Sequence, residues 1–313
     1  MQNILITGAT GFIGYALSKH LVANHYNVTV AVRKIRTTVF DVKQLKFADI
    51  SQDIDRKEQL NNIDCLIHLA GRAHINNDVS EDPLEAFRKV NTTGTLNLAN
   101  SAVAAGVKRF IFLSSIGVNG NQTDTPFKIE DTPKPVEPYA VSKHEAEIGL
   151  EEIAKNTEME IVIIRPPLVY GINAPGNFSR LWKAVIKGIP LPLGAIHNKR
   201  SFISLDNLVD LIETCIQHPD AAGQTFLVSD DNDLSTTELI QLMTKSLGKS
   251  ARLIPVPEQL IRIVASLFGK SAMAQRLCGS LQIDISHTKQ TLDWNPPVSV
   301  EKALQKVAVE YKD

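Results

Sequence analysis

The sequence predicts an α/β fold built on a doubly wound parallel sheet. Short runs rich in Val, Ile and Leu alternate with helical stretches through the first half of the chain. Those runs are apolar on both faces, as strands covered by helices on both sides must be. A glycine triplet stands between the first run and the first helix, where such a sheet binds anions.

The elements follow in order. "NILIT" (3 to 7) reads as the first strand and passes through Gly8, Gly11 and Gly14 into the helical "FIGYALSKHLVAN". "NVTVAV" (27 to 32) is followed by a polar segment, and "CLIHLA" (65 to 70) by one long helical pattern from about Pro83 to Ala105. "RFIFLSS" (109 to 115) leads through a polar loop to "PYAVSKHEAE", where Pro138 suits a first helical turn, and then comes "EIVIIR" (160 to 165). After Arg165 the texture changes: Pro166, Pro167, Pro175, Gly176, Gly188, Pro190, Pro192 and Gly194 interrupt the pattern around one helix at 178 to 187. We expect a main domain over 1–165 and a smaller, interleaved lobe over 166–313, with about 201–230 ("SFISLDNLVDLIETCIQH" and "QTFLVS") returning to the main sheet.

Bulk properties exclude several classes. The chain has 313 residues, 43% apolar and 21% charged, with a formal charge of -1. No long-range field draws it to nucleic acid. Cys65, Cys215 and Cys278 are odd in number and far apart, which argues against a disulfide framework, and no metal-ligand spacing appears among them or the eight histidines. No apolar run approaches the ~20 residues of a membrane span, so a cytoplasmic protein is expected. "EQLIRIVASLFGK" (258 to 270) is the most apolar helical candidate, too short to span and carrying Arg262. Core or partner packing is its expected use, with a membrane surface as the alternative.

Two motifs carry chemistry. In "ITGATGFIG" the glycines allow a tight turn and let backbone N–H groups approach a pyrophosphate at a helix N-terminus. Tyr139 and Lys143 stand four apart on a helix, so they share a face and the ammonium can favour the phenolate. A phenol with a lowered pKa serves a carbonyl/alcohol interconversion, in which the oxygen's proton moves as hydride leaves or arrives at carbon.

"TGATGFIG", "HLAG" (68 to 71), "FLSS" (112 to 115) and "YAVSK" (139 to 143) occur together, in the order and spacing of one family. The whole chain resembles the extended short-chain dehydrogenase/reductases, the nucleotide-sugar epimerase, dehydratase and reductase family with a Rossmann-type sheet. The resemblance implies Tyr139 as proton donor/acceptor, Lys143 as its activator and ribose ligand, and Ser115 as the hydroxyl on the reacting sugar oxygen. "SIGVNG" selects Ser115 by its distance from Val118 and leaves Ser114 as a local backbone cap. Asn119 stands where the family has Tyr. Asp49 would contact the adenine, Asn91 would stand near the active site, and Thr10, Phe12, Ile13, Ile50, Leu69, Ala70, Gly71 and Pro166 would complete the cofactor contacts.

The second strand ends "VAVRKIR", with Arg33, Lys34 and Arg36 and no acid. A guanidinium there suits a 2'-phosphate, so NADP(H) is favoured over NAD(H). Family dehydratases carry Asp-Glu after the catalytic hydroxyl, whereas Ile116-Gly117 here cannot transfer protons. Two reactions remain at C4 of a UDP-linked hexose or N-acetylhexosamine. A 4-keto-6-deoxy-sugar 4-reductase, as in O-antigen clusters and giving a product such as UDP-N-acetylquinovosamine, is ranked first, ahead of a 4-epimerase. A non-catalytic NADP-binding regulator is a minor alternative. Asn177 resembles the family's pyrophosphate-binding Asn and Arg200 its Arg facing the UDP phosphates, with Arg276 as a second cation. A homodimer through residues 83–105 and 138–156 is the assembly the resemblance implies.

Overall fold

The computed structural model describes residues 2–35, 42–52, 54–73, 80 and 82–311. Strand β1 (Asn3–Thr7) leads to α1 (Phe12–Ala23), β2 (Asn27–Val32), β3 (Lys43–Lys46), α2 (Lys57–Leu60) and β4 (Cys65–His68). Then come α3 (Pro83–Arg88), α4 (Gly94–Ala104), β5 (Arg109–Leu113), α5 (Pro138–Asn156) and β6 (Glu160–Arg165). Beyond these lie β7 (Leu168–Tyr170), α6 (Asn177–Ile186), β8 (Phe202–Ser204), α7 (Leu205–Gln217) and β9 (Thr225–Leu227). Helices α8 (Thr236–Ser246), α9 (Glu258–Leu267), α10 (Ser271–Cys278), α11 (Ser286–Leu292) and α12 (Val300–Glu310) end the chain.

Seven strands form one parallel sheet in the order β3-β2-β1-β4-β5-β6-β9. The order reverses beside β1, and in such sheets ligands bind beyond the strands' carboxyl ends at that point. Register pairs Thr7 with His68 and His68 with Phe112, so three side chains line up along that edge. Alternate strand residues feed two cores: Ile4, Ile6, Val30, Ile67 and Ile111 face α1 and α7, while Leu5, Leu66, Phe110 and Phe112 face α4 and α5. A third core, around Tyr170, Phe178, Trp182, Met243 and Leu304, lies among the C-terminal helices.

Three local expectations change. The polar stretch after β2 contains the short edge strand β3, whose terminal lysines are exposed and suit an unpaired sheet edge. The continuous helix expected from Pro83 to Ala105 is broken by a π-turn over Lys89–Thr93, a wide turn of the kind that collects at functional sites. Finally, none of the residues of α9 is buried, and its contact with the C-terminal core is the partly buried Ile261. Among the described residues no helix is long and apolar enough to cross a membrane.

Candidate active site

The glycine turn closes tightly on its neighbours. Gly8 adopts φ +70°, and a Cβ on it would stand 2.7 Å from the Ala70 nitrogen. Only a residue without a side chain lets the turn and the "HLAG" backbone meet this closely. Gly11 N donates to Gly8 O at 2.9 Å, and a Cβ on Gly14 would stand 2.8 Å from Ala9 Cα. Gly11 caps α1 with no side-chain acceptor, so the first N–H groups of the helix lack a capping oxygen from within the turn. This cradle fits the pyrophosphate of a dinucleotide.

A buried relay fixes the next wall. Ala70 N donates to Thr7 Oγ1 at 3.2 Å, Thr7 Oγ1 lies 2.7 Å from His68 Nδ1, and His68 Nε2 lies 3.1 Å from Thr95 Oγ1. Thr95 Oγ1 donates its own proton to Asn91 O at 2.6 Å. It must therefore accept from His68 Nε2–H, which leaves Nδ1 to accept from Thr7. Burial, with the Lys143 charge second, holds His68 down to about 3, consistent with this neutral tautomer. From the π-turn, Asn91 Oδ1 accepts from Arg72 N at 2.8 Å, and Asn91 Nδ2 donates to Ser142 Oγ at 3.0 Å. Ser142 Oγ in turn donates to Tyr139 O at 2.8 Å, so the relay ends on the backbone of the Tyr139 turn. Thr7, His68, Thr95 and Ser142 escaped the sequence reading. Their signal was position: two sit at the carboxyl ends of adjacent strands.

Lys143 is buried, donates from Nζ to Leu113 O at 2.8 Å and lies 4.3 Å from the centre of the Phe112 ring. A Cβ on Gly71 would stand 3.6 Å from Nζ, so glycine at this point keeps the ammonium approachable. Burial draws Lys143 down to about 7, while Glu147 pulls the other way. Tyr139 packs edge-on to Phe87 with ring centres 6.0 Å apart, and burial pushes its phenol up to about 12. The lowered phenol expected from Lys143 is thus not found, because burial sets the direction at Tyr139.

The local cap expected of Ser114 is made by Ser115. Ser115 Oγ accepts from Gly117 N at 3.1 Å and caps the short turn Ile116–Val118, whereas the buried Ser114 Oγ has no hydrogen-bond partner. Accepting one bond leaves Ser115 its own proton to donate. Ser115 Oγ and Ala140 Cβ both come within 3.3 Å of the point where a Cβ on Gly117 would stand, which brings the serine to the first turn of α5. Asn119, where the family has Tyr, accepts from Arg165 Nη1 at 3.0 Å through Oδ1.

The remaining candidates divide. Asp49 accepts from Ser51 N and Oγ at 2.9 and 2.7 Å, and these bonds lower its carboxyl. Ile50 packs on Gly94. Arg33 is exposed just beyond β2; Arg36 lies outside the described residues. Asn177 opens α6 behind Gly176, whose φ is +75°. Arg200 donates to Gly279 O at 2.9 Å, and burial with repulsion from Arg276 draws it down to about 10. Arg276 pairs with Glu137 at 2.8 Å, and Glu137 caps α5 two residues before Tyr139. Arg200 and Arg276 therefore share one field, and the second is tied to the start of the Tyr139 helix.

A separate cleft of about 1050 Å³ runs from Thr10, Gly11 and Phe12 past Tyr170 and Leu205 to Lys306. Tyr139, Lys143 and Ser115 do not line it. Within it Lys306 pairs with Asp206 at 2.7 Å, and Asp210 accepts from Trp294 Nε1 at 2.7 Å. The chemistry belongs instead to the carboxyl edge of the sheet.

Residues 4–229 match the model of the NAD dependent epimerase/dehydratase family. The chain belongs to that family. A UDP-glucose 4-epimerase of Vibrio cholerae is 47% identical over 98% of this chain and 94% of its own length. Among solved structures, a UDP-N-acetylglucosamine 4-epimerase from Bacillus cereus superposes with a TM-score of 0.81 at 20% identity, covering 100% of this chain and 97% of that one. A UDP-glucose 4-epimerase from Thermotoga maritima, solved with UDP-glucose, gives 0.79 at 21% identity and covers 99% of both chains. At such identities these two structures establish the fold.

Proposed function

We propose that the protein is a UDP-hexose 4-epimerase acting on UDP-glucose or its N-acetylated counterpart. The observation that carries this is the 47% identity, across nearly the whole chain, to an epimerase of that name. It reverses the order set by the sequence, in which a 4-keto-6-deoxy-sugar reductase stood first. The nicotinamide ring, when bound, supplies hydride acceptance and return at sugar C4. Tyr139 takes and gives back the C4 hydroxyl proton, Lys143 holds the ribose and supplies positive charge, and Ser115 donates to the reacting oxygen.

Dehydration finds no support, since Ile116 is buried apolar and Gly117 carries no side chain. Arg200, Arg276 and Asn177 are assigned to the UDP moiety, for which two guanidinium groups held in one field suit a diphosphate. NADP(H) preference rests on Arg33 and is part of the proposal, as is a homodimer through α3–α4 and α5, where Ile148 is exposed. Purified protein incubated with UDP-glucose and UDP-N-acetylglucosamine, without added cofactor, tests the reading. Conversion to the galacto isomers with no net change at 340 nm is expected. Stoichiometric loss of NADPH with a UDP-4-keto-6-deoxy sugar, and no isomerisation, would return the reductase to first place; cofactor binding with no turnover would leave a regulator.

A further inference from the structure

Helix α9 turns its apolar stripe outward. Leu260, Ile263, Val264, Leu267 and Phe268 follow the spacing of one helical face, and Leu267 and Phe268 are 79% and 73% exposed. The opposite side faces the protein: Arg262 pairs with Glu258 at 2.7 Å and donates to Gln275 on α10 at 2.7 Å. The stripe therefore awaits something outside the chain.

Charge indicates what. Residues 177–195 and 245–276 together hold nine Lys and Arg and one acid, Glu258, in a chain whose formal charge is -1. Arg262 pairs with that acid and Arg276 with Glu137, which leaves seven cations for this face. The two segments are joined: Leu191 N donates to Arg252 O, Ile254 N donates to Leu191 O, and Lys249 Nζ donates to Ile186 O. Ile189 and Ile254 are both exposed at this junction, so apolar and cationic groups alternate from it into α9.

We propose that this face docks on an anionic lipid bilayer, with α9 lying in the headgroup plane and the surrounding lysines and arginines on the anionic phosphates. An apolar stripe bordered by cations is the arrangement that surface-bound helices use. A second copy of the chain fits poorly, since a two-fold contact would set each cationic rim against itself. The proposal does not depend on which sugar nucleotide the protein turns over.

The full chain should co-sediment with vesicles of phosphatidylglycerol and phosphatidylethanolamine, and the bound fraction should fall as salt is raised. Phosphatidylcholine vesicles should retain far less. The doubly substituted Leu267→Glu, Phe268→Glu protein changes only exposed side chains, so its fold and turnover should persist while vesicle binding drops ~10-fold or more. Lys249→Glu with Lys270→Glu should lose binding to anionic vesicles in the same way. Failure of the wild-type chain to bind anionic vesicles overturns the proposal, as does equal retention of the α9 variant. A variant that alters only particle mass in light scattering would make the stripe a contact between copies instead.

Discussion

Of the Arg–Glu pairs that hold helix α5, the innermost and the outermost differ in depth. Arg165 and Glu147, in the interior, are 7% and 1% exposed and meet at 2.6 Å; Arg276 and Glu137, at the N-terminal end, are 49% and 45% exposed and meet at 2.8 Å. The inner pair is bidentate, further bonded to Asn119, and lies wholly within the sheet half of the chain. The outer pair joins that half to the C-terminal helices. Similar chemistry therefore serves two ends: the first ties the middle of α5 to the end of β6, and the second ties the Tyr139 turn to α10.

The largest effect should come from the inner pair. Glu147→Ala leaves a guanidinium buried without its carboxylate, and the cost of breaking such a pair is ~3–5 kcal/mol. Urea unfolding should show a loss of that size, with much of it recovered in the double variant Glu147→Ala, Arg165→Met. An unchanged midpoint would mean that Asn119 and water suffice for Arg165. Next, Tyr139→Phe should fold and bind the dinucleotide normally but lower kcat by ~10²-fold or more, as expected for loss of a general acid. Turnover near wild type in an isomerisation assay would remove Tyr139 from its assigned role.

The inner region also predicts a pH dependence. Lys143 falls from its ordinary value near 10.4 to about 7 in the folded chain, because burial disfavours the ammonium. Between those values the unfolded chain binds more protons than the folded one, so stability should rise with pH, by at most ~1.4 kcal/mol per unit. Below about pH 7 both states are protonated and the slope vanishes. The thiols of Cys65, Cys215 and Cys278, all raised by burial, oppose the trend above about 8.5, and Tyr139, raised to about 12, adds to them above its ordinary value near 10. In each case the folded chain keeps a proton that the unfolded chain has lost. Chemical denaturation from pH 7 to about 8.5, below the range where these thiols act, should thus climb in the wild type and stay nearly flat in Lys143→Met. A matching slope in both would assign the climb to other groups.

How legible these regions were follows from the range over which each is encoded. The glycine turn, the strand runs and the Tyr139–Lys143 spacing are local, and a few consecutive residues determine them. The relay through Thr7, His68, Thr95 and Asn91 spans several elements and depends on strand register, which short runs do not reveal. The π-turn at Lys89–Thr93 depends on Asn91 and Thr92 finding partners at Arg72 and Ser142. Ser115 and Ser114 are adjacent in sequence and differ only in backbone direction after β5. In the C-terminal helices, the apolar pattern of α9 reads equally as core or as partner packing, since periodicity gives the stripe and not the direction it faces.

The outer pair should give the smallest change in stability and the clearest separation of the two roles. Exposed ion pairs contribute ~0–1 kcal/mol, so Arg276→Ala should barely move the unfolding midpoint. Its removal also relieves repulsion on Arg200, which then stays protonated to higher pH. If Arg276 serves only the fold, KM and kcat should both be unaltered. If it holds the substrate's diphosphate, KM should rise several-fold with kcat little changed, since the lost contact is made equally in ground and transition states. A fall in kcat at constant KM would instead place its effect on the Tyr139 turn, through Glu137, and Glu137→Gln should then reproduce it.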